Sequence, residues 1–288
     1  MIKPYLQLIR LPAGFSAISN VLAATMIATG GHPEPAALAI TLLASLCLYF
    51  GGMALNDCMD LAEDRRLRAE RPLVRGQISP RTAWQVAIGL LVCGVLLPAF
   101  ISFQAWLFAA LLAVLIILYD SKTLPASLHI WSMAACRYAH WLFIFACAGV
   151  QSLEFWLWPL PLLFYVAGLT RISEAEAGVA EFAPFQRLAI MLFGLAGFCL
   201  LLLTVFLGAL ISGVLALGLW STWLSRLLNT SQEPMTALRV QALVRQLVMG
   251  VVAMDACLVT VAGYPVVGAL LLLLLLPGRF VGRWISVS

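Results

Sequence analysis

The chain has 288 residues, 63% of them hydrophobic and only 10% charged, with a formal net charge of +4. That composition excludes a soluble globular domain. The small positive balance is no sign of nucleic-acid binding, because the basic residues sit at the ends of apolar runs. Several runs reach the length needed to cross a bilayer, so the sequence reads as an all-α polytopic membrane helix bundle, a multi-pass protein surrounded by membrane lipids.

Apolar runs at roughly 12–30, 36–55, 82–100, 103–119, 128–150, 155–172, 188–207, 210–227 and 240–262 predict nine transmembrane helices. A shorter run at about 264–277, after Gly263-Tyr264-Pro265, adds a tenth if it tilts little or thins the bilayer. Lys3 and Arg10 precede the first run, which is long enough to stay as a span. A pair of spans, a charged loop and another pair occur once around Asp57 and again around Glu174. This layout predicts two four-helix groups around one cavity, in a single domain over 1–288.

The connections near 31–35, 101–103, 151–154, 208–210 and 263–265 hold no Lys or Arg. The alternate connections carry Arg65, Arg66, Arg68, Arg71, Arg75 and Arg81, then Lys122, Arg171, Arg187, Arg226, Arg239 and Arg245. The positive-inside rule places that side, with the acidic loops, in the cytoplasm, and a bacterial inner membrane is the expected location. Arg279 and Arg283 in the tail favour a tenth crossing or a re-entrant last run. The seven cysteines form no CxxC pair, and all but Cys58 lie in apolar segments, where they read as small buried hydrophobes.

The charged centre of the chain is Asn56-Asp57-Cys58-Met59-Asp60-Leu61-Ala62-Glu63-Asp64, directly after the second apolar run. Asp57, Asp60 and Asp64 are spaced i, i+3 and i+7, which on a helix puts three carboxylates on one face. Carboxylates stacked this way repel one another, whereas a hard divalent cation such as Mg²⁺ takes such oxygen ligands together with substrate phosphates. The plainer alternative is a solvated loop whose acids pair with Arg65, Arg66 and Arg68. In the following loop, Pro72 breaks the helix, Gly76 permits a turn, and Ser79 caps the next span with Pro80 at its first position. Arg71 or Arg75 has the planar fork that grips a phosphate bidentately.

Asn56-Asp57-x-x-Asp60-x-x-x-Asp64 followed by Arg71-Pro72-Leu73-x-x-Gly76 resembles the first motif of the UbiA superfamily of intramembrane prenyltransferases. The resemblance implies transfer of a prenyl group from a Mg²⁺-bound prenyl diphosphate to an aromatic or other lipophilic acceptor. Asn20, Tyr119-Asp120-x-Lys122 and Arg137 resemble, more loosely, polar residues of the family's first, fourth and fifth spans. On this reading Asp57, Asp60, Lys122 and Arg137 are catalytic, Asn20, Asn56, Arg71, Asp120, Glu174 and His140 bind substrate, and Asp57, Asp60, Asp64 and Glu174 hold metal. The family's second, aspartate-rich motif is altered: Thr170-Arg171-Ile172-Ser173-Glu174-Ala175-Glu176-Ala177-Gly178, with Glu181 beyond, contains no aspartate. Glu174 and Glu181 are spaced to share a helical face. This variant loop is similar to the EboC-like group within the superfamily.

Arg137 stands out on physical grounds, since an arginine inside an apolar span faces a cavity or a partner. The alternative is a structural pair with Asp255, itself an acid in the ninth span. His140, at i+3 from Arg137, would line the same space, either as a packing residue or as a base. Lys122 at a helix end is also explained by snorkelling. Two function classes remain: an enzyme that ionises a prenyl diphosphate, and a binding or trafficking protein that holds an isoprenoid conjugate on the same scaffold.

Overall fold

The computed structural model describes residues 2–123, 125–150, 152–175, 182–229 and 236–285. Among them every regular element is helical: α1 (Lys3–Leu8), a 3-10 turn (Leu11–Ala13), α2 (Gly14–Ala28), α3 (Pro35–Met59), α4 (Leu61–Leu67), α5 (Pro80–Leu96), α6 (Phe103–Asp120), α7 (Ala126–Cys147), α8 (Leu160–Glu174), α9 (Phe182–Phe206), α10 (Leu210–Asn229) and α11 (Ala237–Val261). The last run is α12 (Pro265–Leu271), a 3-10 turn (Leu272–Leu274) and α13 (Leu275–Trp284). Nine helices among the described residues are long and apolar enough to cross a membrane, the last running from Pro265 to Gly282. The protein is an integral multi-pass membrane protein. Helix α7 has 22 residues, about 33 Å at the helical rise, and carries Arg137 and His140 through the bundle.

The local signals are those that the sequence offers. Glu34 accepts from the amides of Ala36 and Ala37 with Pro35 at the first position of α3, and Ser79 accepts from Thr82 N at 3.1 Å with Pro80 opening α5. Gly76 turns the intervening loop at φ +69°. The helices close into a ring: α2 on α3, α3 on α5 and α6, α6 on α7, α7 on α8, α8 on α9, α9 on α10, α10 on α11, and α11 back on α2 and α8. The first four long helices form one group and α7 to α10 the next, with α11 and the last run closing the ring. The last run returns to the end where α2 begins, since a Cβ on Gly278 would lie 3.7 Å from Phe15 and one on Gly282 would lie 3.9 Å from Pro12. With α7, which is not among those nine, this run makes ten long helical segments, the number that Arg279 and Arg283 favour.

One contact needs glycine for close approach. A Cβ on Gly51 would fall 3.0 Å from Leu91 N, and one on Gly94 would fall 3.0 Å from Leu48 N. Helices α3 and α5 therefore meet almost backbone to backbone, as small residues permit between membrane helices.

Candidate active site

The acidic stretch is not one straight helix. Helix α3 runs four residues past the expected apolar run, so Asn56 and Asp57 lie on its last turn. Asp60 sits at the joint with α4 at φ −85°, ψ 2°, and Asp64 lies within α4. The three carboxylates consequently diverge. Asp57 and Asp64 both turn to Arg71, whose Nη1 donates to Asp57 Oδ1 at 2.9 Å and to Asp64 Oδ2. Asp60 turns the other way, with Oδ1 2.7 Å from Lys122 Nζ. The single face predicted for all three holds for Asp57 and Asp64, and the bend at Asp60 explains the difference.

Cations from three distant segments converge on these acids. Arg10, just before α2, donates through Nη2 to Asp57 Oδ1 at 2.9 Å and to Asn56 Oδ1 at 3.2 Å. Lys122 also donates to Glu63 Oε2 at 2.7 Å. Among the described residues, the simple loop expectation of pairing with Arg65, Arg66 and Arg68 is met by Arg68, 3.4 Å from Asp64 Oδ1. Arg10 and Lys122 are the two non-glycine residues among those described with positive φ, at 49° and 51°. Such conformations cost about 1–3 kcal/mol each and persist only where surrounding contacts enforce them.

The electrostatics follow from burial. Burial and the neighbouring Arg10 hold the Arg71 guanidinium below the usual arginine range despite its acids. Burial likewise pushes the Asp64 carboxyl up, although Arg71 opposes the shift. Lys122 is raised: burial works against its charge, and the hydrogen bonds to Asp60 and Glu63 outweigh it. The hydrogen bond from Lys122 holds Glu63 below the usual carboxylate range.

Asn56 Nδ2 donates to Asp120 Oδ1 at 3.1 Å, which ties the end of α3 to the end of α6. Asp120 Oδ2 is buried without a hydrogen-bond partner. These groups open onto a cavity of about 1860 Å³ that extends between α10, α11 and α12. Asn56, Asp60, Asp120 and Lys122 line it, as do Arg137 and His140 deeper in, whereas Asp57 and Asp64 lie behind Arg71. Tyr49 is two turns below Asn56 on α3, and Arg137 stacks on it with the guanidinium carbon 5.0 Å from the ring centroid. Arg137 donates to Asn20 Oδ1 at 2.9 Å and to Ser16 Oγ at 2.8 Å. Asn20 in turn donates to both Asp255 oxygens at 2.8 Å. The pairing of Arg137 with Asp255 weighed from the sequence is thus indirect, through Asn20. His140 Nε2 lies 2.9 Å from Ser45 Oγ.

A model of the UbiA prenyltransferase family matches residues 17–244. The chain belongs to the UbiA prenyltransferase family. Over 121 residues it is 32% identical to a digeranylgeranylglyceryl phosphate synthase from Metallosphaera sedula, a match covering 41% of each chain. Over 98 residues it is 38% identical to a 4-hydroxybenzoate octaprenyltransferase from Burkholderia pseudomallei, covering 32% of this chain and 34% of that enzyme. The chain thus matches well under half the length of these curated relatives. The apo structure of a UbiA homolog from Aeropyrum pernix superposes with a TM-score of 0.66 at 18% identity, over 85% of this chain and 96% of that one. A UbiA homolog from Archaeoglobus fulgidus, bound to GPP and Mg²⁺, superposes with a TM-score of 0.61 at 17% identity, over 93% and 99%. Both share the UbiA fold with this chain.

The altered second motif ends α8 at the same end of the bundle as the first. Glu174 takes a bond from Arg171 Nη1 at 2.5 Å, and its Oε1 lies 3.8 Å from His129 Nδ1. It is not among the residues facing the cavity, although its neighbours Thr170 and Ser173 are. Glu176 and Glu181, including the proposed sharing of a face by Glu174 and Glu181, lie outside the described residues. Sequence reasoning gave no role to Arg10 beyond topology and none to His129, which stacks on Tyr119 at 5.0 Å between ring centroids. Nothing local marks either one: Arg10 meets its acid 47 positions away.

Proposed function

We propose that this protein is a Mg²⁺-dependent intramembrane prenyltransferase that moves an isoprenoid from a prenyl diphosphate to an aromatic or other lipophilic acceptor. The observation that carries the reading is the cavity itself: a charged end built from oxygen donors and cations, continuous with an apolar interior of the bundle. The named relatives are prenyltransferases, and the Archaeoglobus homolog binds GPP with Mg²⁺.

The donor set fits a hard cation. Among the described residues, no three acids, histidines or cysteines converge on one point, yet Asp60, Asn56 and the unpartnered Asp120 Oδ2 are oxygen donors at the cavity wall. Asp60 at the cavity wall, with Asp57 and Asp64 behind Arg71, would hold the metal, which when bound supplies Lewis-acid stabilisation of the departing diphosphate. Lys122 and Arg71 sit where they can pass from carboxylate to phosphate oxygens, and Arg137 offers a second positive centre deeper in the cavity. These fixed charges favour the leaving group as its negative charge grows. The apolar walls hold the isoprenoid and keep water from the allylic carbon. A cytoplasmic location of the charged end follows from the arginine bias; Gln77→Cys and Arg187→Cys should both react with an impermeant maleimide from the cytoplasmic side, and reaction of either from the opposite side refutes the orientation.

The decisive experiment incubates purified protein with dimethylallyl, geranyl and longer prenyl diphosphates plus Mg²⁺ and follows pyrophosphate release. Release with at least one is expected. Binding without release for every member would favour the second reading, a carrier of isoprenoid conjugates on the same scaffold, which the engagement of Glu174 with Arg171 supports. Glu174→Gln bears on the same choice. It is expected to weaken Mg²⁺-dependent binding of a prenyl diphosphate analogue only a few-fold, because a carboxylate already paired with Arg171 offers a cation little. A loss as large as that of Asp60→Asn would make Glu174 a full metal ligand.

A further inference from the structure

The first and last parts of the bundle share a buried polar cluster that neither acidic motif includes. Asp255, six residues before the end of α11, is completely buried. Its Oδ2 accepts from Ser19 Oγ at 2.6 Å, and both its oxygens accept from Asn20 Nδ2 at 2.8 Å. Asn20 and Ser19 are also completely buried. Asn20 Oδ1 accepts from Arg137 Nη1 at 2.9 Å, and Ser16 accepts from Arg137 Nη2 at 2.8 Å. The chain of contacts runs from α11 through α2 to α7 and ends on the one member of it, Arg137, that lines the cavity.

We infer that Asp255 is a positioning residue, which acts through the Asn20 amide to hold the Arg137 guanidinium against the cavity for the anionic head of the substrate. The inference rests on the prenyltransferase reading above. An amide between a carboxylate and a guanidinium has only one orientation that satisfies both neighbours: its NH₂ must face the acceptor-only acid and its carbonyl the donor-only arginine. Asp255 therefore fixes which way Asn20 points, and Asn20 fixes where Arg137 sits.

The indirect arrangement has its own logic. An arginine within a membrane span needs a partner to balance its charge. A carboxylate in direct contact would grip the guanidinium fork bidentately and occupy the donors a substrate needs. Set one amide away, Asp255 balances the charge while Arg137 spends two of its five N–H donors on neutral oxygens. The face of the guanidinium rests on Tyr49, which fixes its plane. Ser19 completes the set by satisfying Asp255, so that the acid does not itself turn toward the cavity.

The test is a double-mutant cycle read as affinity for geranyl thiodiphosphate, a non-hydrolysable analogue, with Mg²⁺, and as melting temperature. Arg137→Ala is expected to weaken binding roughly 30-fold, in the range for charge-assisted hydrogen bonds. Asp255→Asn lets the Asn20 amide turn over and should weaken it roughly tenfold. If Asp255 works through Arg137, the double variant binds like Arg137→Ala alone; losses that multiply to roughly 300-fold overturn the assignment. The exchange of Asn20→Asp with Asp255→Asn keeps one buried acid and an amide-to-carboxylate hydrogen bond between the two positions, so it should melt close to the parent and covers the case in which Asp255→Asn alone fails to fold. It also puts a carboxylate directly on Arg137, so affinity should stay at least fivefold below the parent. An exchange variant that binds like the parent shows Asp255 to be merely structural. A parent that binds no prenyl diphosphate overturns the prenyltransferase reading and this inference with it, whereas a binding parent with multiplicative losses overturns this inference alone.

Discussion

Asp60→Asn should lower the rate of pyrophosphate release at least about a hundredfold, equivalent to roughly 3 kcal/mol of transition-state stabilisation, with no measurable change in melting temperature. Of the three motif aspartates, Asp60 is the one that lines the cavity, and its present partner is Lys122. The Lys122 side chain is 45% exposed and keeps Glu63 at 2.7 Å, so the substitution strands no buried charge. On the proposed reading it removes a carboxylate from the cation's ligand set, and with it the anchor for the diphosphate. Steady-state rates and thermal melts on the same preparation check the two halves together. An Asp60→Asn protein that melts early would mean that its acid is structural, and one that turns over normally would place the metal elsewhere. Asp57→Asn is a poorer probe, because Asp57 balances both Arg10 and Arg71 and its loss leaves two cations short of a partner.

Arg71→Ala is expected to give the largest loss of stability, about 3–5 kcal/mol, the range for removing one partner of a buried ion pair. The Arg71 side chain is 7% exposed and bridges Asp57 and Asp64, themselves 4% and 1% exposed. Without it two carboxylates share a dry site. Two measurements tie the loss to charge rather than to a missing side chain. Adding Asp64→Asn to Arg71→Ala should recover part of the melting temperature. Acidification should do the same: burial already pushes the Asp64 carboxyl above its usual range, so its protonated form is favoured in the fold, and the stability tied to that form is fully present below the unfolded value and lost as pH rises. The gap between Arg71→Ala and parent should therefore narrow from pH 7 toward pH 5. A gap independent of pH, with no rescue by Asp64→Asn, would assign Arg71 a packing role.

The spans were legible because apolar length is a strong local signal, and the ten runs read from the sequence return as the ring of long helices within a few residues at their ends. The last was read short, since Arg279 and Arg283 interrupt its hydropathy, while the helix itself continues to Trp284. The acidic motif and its loop were legible from spacing, caps and turn residues. The bend at Asp60 was not, because nothing in Asp60-Leu61 forbids a continuous helix; it is the pull of Lys122 on one side and Arg71 on the other that separates the carboxylates. Asn20 and Asp255 could be singled out one by one, but not their contact with each other and with Ser19, nor the role of Arg10: these partners lie 46 to 236 positions away, and no periodicity encodes a contact between helices at opposite ends of the chain. Arg137 could be singled out from its cost in the bilayer, but not its partner's identity, since an amide interposed between two charges leaves no mark on composition.

The near-contact of α3 and α5 at Gly51 and Gly94 also bears on how the charged end withstands motion elsewhere. The segment carrying Arg71 leaves the end of α3 and re-enters the bundle as α5, so both its anchors belong to two helices clamped almost backbone to backbone. Such a pair behaves as one stave of a barrel. Should the remaining staves shift, the span between Arg71 and Asp57 is expected to stay constant, while the reach from Arg10 and Lys122, mounted on other staves, is free to change. Bulk at Gly94 would be felt as a wedge: it would pry the stave open at mid-membrane and be read out some fifteen to twenty ångströms away, by helical rise, as a loosened acid cluster.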